Sequence, residues 1–227
     1  MISRFSRAAL IVVAMLASVV PGQEVQPVSS DRLREIVNRV DERYNQLSTL
    51  RADFDESYQS AGLERNETGT LELKRPGKMR WNYLTPQHKL FVSDGKYAFF
   101  YVEGDSQAQK GEISKLEDLR SPLRYLLGKT KLEKEFHNLG IVSGPQDSTG
   151  DVVLRGQPKI QAGRIAEVEL EVTPANEIVR ILITEQDGSE TGFRFRNLQM
   201  NTSLPDSLFH FIPPPGVQVV DSAEVTP

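Results

Sequence analysis

Cysteine is absent from this chain. That excludes disulfide staples, zinc–thiolate sites, a cysteine nucleophile and a lipid carried on an N-terminal cysteine. Histidine is scarce. His88, His137 and His210 stand far apart in no ligand spacing, so strand or loop positions explain them better than metal ligation. There is no P-loop, no G-x-G-x-x-G and no G-x-S-x-G nucleophile elbow, which disfavours an enzyme. Basic excess is missing too: 27 Lys and Arg stand against 31 Asp and Glu, a formal charge of −4. Nothing in that balance would hold nucleic acid or an anionic bilayer.

What is there begins with an export signal. Arg4 and Arg7 precede 8–20, an uncharged apolar run. It is too short for a membrane core, which needs roughly 20 residues. The expected signal peptide is 1–22. Cleavage after Gly22 leaves 205 of the 227 residues and, with Arg4 and Arg7 gone, moves the charge from −4 to −6. No clean A-x-A site precedes Gly22, so an uncleaved anchor is the alternative. The remainder, 23–227, reads as one domain that must stand on core burial alone.

Leu33, Ile36, Val37, Val40, Tyr44 and Leu47 recur at helical spacing, with charges opposite, which predicts a helix over about 31–47. Ser29, Ser30 and Asp31 offer N-cap oxygens. From Thr49 the period becomes two. Strands are expected at 49–60, 64–75, 78–84, 88–94, 96–103 and 106–113, split by Pro76-Gly77, Asp94-Gly95 and similar turns. A second helix is expected at 116–127. Strands then follow at 131–137, 151–156, 164–173, 177–185 and 190–199, with a last short one at Phe209 and Phe211. The fold class is α+β: about 11 mostly antiparallel strands curled into an unclosed barrel, with two helical segments to cover it.

Parity assigns faces. Ala166, Val168, Leu170 and Val172 alternate with Glu167, Glu169 and Glu171. The glutamate row could mimic a glycosidase pair or a cation site, but nothing apolar or basic is expected to surround it, and a solvated sheet face explains it better. Met79, Trp81 and Tyr83 share a face, as do Phe193 and Phe195. Strand 96–103 is apolar on both faces, so it is covered on both, or has one face against something other than water. Arg75 has the parity of Leu71 and Leu73. Either it points inward and needs acceptors, or the chain bends at Pro76 and Arg75 is a surface group.

The run Lys74-Arg75-Pro76-Gly77-Lys78-Met79-Arg80-Trp81-Asn82-Tyr83, with Val92-Ser93-Asp94-Gly95-Lys96 after it, resembles the LolA family of periplasmic outer-membrane lipoprotein carriers. Leu50-Arg51-Ala52-Asp53-Phe54, Ser121-Pro122-Leu123 and Phe211-Ile212-Pro213-Pro214-Pro215-Gly216-Val217 support it, and the likeness spans about 31–221. Met79 departs from the phenylalanine expected there, which alters shape more than character. The resemblance implies an unclosed barrel with a helical lid over a hydrophobic cavity. Arg75 would latch the lid by its backbone carbonyls. The acyl-binding wall would comprise Leu71, Leu73, Met79, Trp81 and Tyr83, with Phe99, Val168, Leu170, Phe193 and Phe195. The lid face would comprise Leu33, Ile36, Val37 and Val40, with Leu123, Leu126 and Leu127.

It also implies a monomer without cofactor in the periplasm. Acylated lipoproteins would be its cargo, loaded by an inner-membrane ATP-binding-cassette transporter and handed to an outer-membrane acceptor. The physics fits. Each acyl methylene is worth about 0.8 kcal/mol on burial, so free diffusion of a triacylated protein through water is negligible. Other readings remain: a lipid shuttle of another kind, a lipid-sensing regulator of the same architecture, or a periplasmic hydrolase, for which no convergent catalytic cluster is found.

Overall fold

The computed structural model describes residues 30–113, 126, 131–142, 150–160, 162–222 and 225. The signal peptide, Leu123, Leu127 and most of the expected helix 116–127 lie outside them. Helix α1 spans Ser30–Asn45, and its apolar stripe buries Val37, Val40 and Tyr44. The strands are β1 (Thr49–Ser60), β2 (Leu63–Lys74), β3 (Lys78–Thr85), β4 (Lys89–Asp94), β5 (Tyr97–Val102) and β6 (Gln107–Glu112). After a single helical turn, α2 (Leu132–Glu135), come β7 (Phe136–Val142), β8 (Val152–Pro158), β9 (Ile165–Val172), β10 (Ile178–Glu185), β11 (Glu190–Met200) and β12 (Gln218–Asp221).

All twelve belong to one sheet in the order β12-β6-β5-β4-β3-β2-β1-β11-β10-β9-β8-β7. Its two ends, β12 and β7, do not pair, so the barrel is unclosed. Every pairing is antiparallel except β12 with β6. The edge of β6 is covered late because Pro213, Pro214 and Pro215 have no N–H to give a ladder. Gln218 N–H then reaches Ser106 O at 2.9 Å. The strand expected at Phe209 and Phe211 is instead a 3-10 turn, Asp206–Phe209, which lies on β3 and β4.

The strand expected from residue 131 gives way likewise. Leu132–Glu135 form α2, and β7 starts only at Phe136. Leu132 is buried, and its N–H is met by the Asp41 carboxylate of α1 at 3.1 and 3.2 Å. A tertiary acceptor thus favours a helical turn where period alone allowed a strand.

Two layers of apolar side chains result. One runs from α1 across the inner face, from Phe91 on β4 to Leu154 on β8. The other lies on the outer face, where Val92, Leu204 and Phe209 are buried and Phe211 stacks on Phe99 with ring centres 5.2 Å apart. Strand β5 is therefore at least partly covered on both faces, one of the two outcomes its composition allowed. The glutamate row of β9 lies on the outer face as expected, but it is not free of basic neighbours: register brings Arg155 to Glu167 at 3.2 Å and Arg194 to Glu171 at 3.5 Å. Among the described residues no group of acidic or histidine side chains could hold a metal ion.

Candidate functional site: a covered apolar wall and its latch

Register decides which residues form the inner wall. Leu50, Leu73 and Met79 stand side by side across β1–β3, and Ala52, Leu71, Trp81, Phe91 and Phe100 form the next row. On the other wing Phe193 faces Ile181, which faces Leu170, which faces Leu154. Leu71, Leu73, Met79, Trp81, Tyr83, Val168, Leu170 and Phe195 are all buried, and Phe193 is half-buried against them. Phe54 is the hub of this surface. Its ring meets Trp81 and Tyr83 edge-on at 4.8 and 5.0 Å.

Phe99 does not belong here. It pairs with Val92, on the outer face, and Phe100 takes the wall position beside Phe91. The sequence showed two equally apolar faces on this strand, and only pairing with β4 tells them apart.

Helix α1 lies on this wall through Val37, Val40 and Tyr44, with Leu33 and Ile36 half-buried against the same core. Leu126, helical and fully buried, joins it. The gap at the latch, lined by Leu47, Leu50, Leu73, Arg75 and Leu126, measures about 10 Å³. That is the size of one water site, so the end of the helix seats tightly on the sheet here. An apolar wall facing water gains by taking its own helix as a cover.

Arg75 turns to the helix side of the sheet and finds acceptors there while staying only half-buried. Its guanidinium donates to Tyr44 O at 2.6 Å and Asn45 O at 2.7 Å. These are carbonyls at the C-terminus of α1, where the helix leaves acceptors without partners of its own. The neighbouring lysines face the other way. Lys74 and Lys78 hold the Asp206 carboxylate at 2.7 and 2.9 Å, and together they hold its pKa down to about 2. The second motif braces the first: Ser93 Oγ donates to Gly77 O at 3.1 Å and accepts from Gly95 N–H. Gly77 sits at φ +64°, a region that favours glycine.

Further ties fix α1. Ile178 N–H donates to the Tyr44 hydroxyl at 2.8 Å, and Arg43 pairs with Glu177. Asp41 caps α2 as above. Burial, opposed by the bond from Leu132 N–H and assisted by Glu135 and Glu133, pushes the Asp41 carboxyl up to about 6. A carboxyl raised on folding favours the folded state below its unfolded value of 3.8, and that contribution is lost as pH rises through about 6. Asp41→Asn keeps an acceptor for Leu132 and removes the titration. The melting temperature of the natural chain, relative to this variant, is expected to fall as pH climbs from 3.8 to about 6. Melting curves that run parallel across that range would refute the assignment.

One set of wall residues escaped the sequence reading. Glu56 and Glu67 are buried on the inner face. The Tyr83 hydroxyl donates to Glu56 at 2.8 Å, Lys89 donates to Glu67 at 2.7 Å, and Arg65 lies 3.2 Å from Glu67. Burial pushes the Glu56 carboxyl up, the Tyr83 bond opposes this, and Glu67 adds to it. The signal was available: Glu56 shares the parity of Phe54.

Residues 45–212 match the family described as outer membrane lipoprotein carrier protein LolA. The chain belongs to that family. Outer-membrane lipoprotein carrier proteins of Chromobacterium violaceum and Nitrosospira multiformis are 31% and 33% identical over 174 and 177 residues, covering 76% of this chain and 81% and 82% of theirs. The one from Bordetella avium is 28% identical over 224 residues, covering 96% and 97%. An uncharacterized conserved protein from Thermus thermophilus shares the fold, with a TM-score of 0.54 and 14% identity over 83% of this chain and 98% of that one. In this LolA-family chain the K-R-P-G-K run is thus a two-sided fastener. Its lysines hold the C-terminal segment outside, and its arginine holds the helix inside.

Proposed function

We propose that this LolA-family chain is a periplasmic carrier that takes the acyl chains of lipoproteins against its inner wall and moves them from the inner to the outer membrane. The observation that carries the reading is the pairing of a continuous apolar wall with a cover fastened at its end by Arg75. The carrier names of the relatives support it. Residues 1–22 serve as the cleaved export signal and 23–227 as the carrier domain. Loading comes from an inner-membrane ATP-binding-cassette transporter and unloading goes to an outer-membrane acceptor. The chain acts by binding and release, without chemical turnover of its cargo.

Release needs no energy source of its own because contacts are exchanged. Acyl methylenes replace Val37, Val40 and Leu126 on the wall, so the net gain is the small difference between two apolar covers. The cost of lifting α1 keeps affinity within reach of an acceptor.

The test is copurification with fluorescence. The exported chain should carry acylated lipoprotein. Trp81, the single tryptophan, should change emission on titration with a diacylated lipopeptide, because its cover is replaced. Emission that stays flat, with only phospholipid or nothing bound to the exported chain, would overturn the reading.

A further inference from the structure

Among the described residues, the inner wall contains a buried polar group without a hydrogen-bond partner. Trp81 is 2% exposed. Its indole Nε1–H has no hydrogen-bond acceptor among the described residues. The rings around it, Phe54 at 4.8 Å and Phe193 at 5.5 Å, offer at most a weak π contact. Buried donors are ordinarily paired, and one left unmade costs stability. A tryptophan in a wall of Leu and Phe is therefore a poor choice for packing alone.

Its position adds a second observation. On the side towards the latch the wall is purely apolar: Leu73, Met79 and Leu50. One row in the other direction it turns polar, with Tyr83 bonded to Glu56, and Lys89 to Glu67 just beyond. Trp81 stands on the boundary. An ester-linked lipid has the same order along its length: hydrocarbon, then carbonyls, then a polar head. An ester carbonyl accepts and cannot donate, which complements an indole that donates and cannot accept.

We infer that the Trp81 indole N–H is the donor to an acyl ester carbonyl of the bound lipid, fixing the depth and direction of the cargo. This rests on the carrier reading above. The hydrocarbon then points to Met79 and the Arg75 latch, and the head towards Tyr83 and Lys89. The site prefers ester-linked lipids over ether-linked ones of equal chain length.

The test compares a dipalmitoyl-glyceryl cysteine lipopeptide with its dihexadecyl ether counterpart, binding both to the full chain. The natural chain should bind the ester about fivefold more tightly, the worth of one neutral hydrogen bond. In Trp81→Phe, which keeps an aromatic ring, that ratio should fall to about one. A second readout needs no variant. The single tryptophan gives a single indole N–H resonance, which should move downfield with the ester and not with the ether. Equal affinities in the natural chain, a ratio that survives Trp81→Phe, or an indole resonance that responds alike to both lipids would each overturn the assignment. Failure of both lipids to bind would instead overturn the carrier reading, and this assignment with it.

Discussion

Arg75→Leu is expected to loosen α1 from the barrel. The absence of native cysteine makes the measurement clean: spin labels at Asn38 on α1 and Thr85 on β3, both exposed, report the distance between cover and wall. The substitution keeps an apolar stem and removes the fork that donates to Tyr44 O and Asn45 O at 2.6 and 2.7 Å. Bonds from a charged donor are worth up to about 3 kcal/mol each when buried. This guanidinium is only partly buried, so solvent screening reduces the pair to about 2 kcal/mol. That shifts the ratio of lifted to seated helix by about thirtyfold. Tyr44 with Ile178, Arg43 with Glu177 and Asp41 with Leu132 still hold the helix. The distance distribution should therefore broaden and gain a longer component while the shorter one persists. Arg75→Lys, with one compact donor group in place of a fork, should fall between. A distribution identical to that of the natural chain, empty and loaded with lipopeptide, would end the latch assignment.

Gly69→Ala should produce the largest loss of stability of any single methyl added to the wall. Gly69 lies beside Phe54 on β1 and Tyr83 on β3. A Cβ built there would sit 2.2 Å from Asn82 O and 2.8 Å from two atoms of the Phe54 ring. The first contact is with backbone in the middle of a paired strand, so no rotamer change relieves it. The second is with the hub of the aromatic wall, wedged between Trp81 and Tyr83. Overpacking at a site that cannot yield costs about 3 kcal/mol. Urea denaturation should show that drop as a lowered midpoint with an unchanged slope. A loss below about 1 kcal/mol would mean that the sheet gives way more easily than its pairing implies.

The same two positions show how far the linear chain could be read. Gly69 stands where the register of β2 with β3 shifts, and an isolated glycine in a strand signals a bulge or a close approach. What approaches it is the backbone of Asn82 and the ring of Phe54, fifteen residues earlier, which no local pattern names. Arg75 had the parity of the wall, but parity fails where strands end. Its partners belong to a helix thirty residues away, and only packing α1 across the sheet brings them within reach.

Strand β5 and helix α2 mark the same limit. Tyr97, Phe99 and Tyr101 looked as apolar as Ala98, Phe100 and Val102, and the register with β4 made Phe100 the wall residue. A strand was expected over 131–137, and the Asp41 carboxylate instead favours a helical turn at its start.

Local patterns in the linear chain suffice for the alternation that makes strands, the stripe that makes α1, the turns that join hairpins and the motif that marks the family. All of these are short-range: steric and hydrophobic preferences acting within a few residues. Packing in three dimensions settled which face of each strand looks inward, where the barrel stays open, that α1 lies across the wall, and that Trp81 is left without an acceptor among the described residues. Those depend on register and on contacts between distant segments, and a one-residue slip in pairing would reverse every face while leaving the local pattern intact.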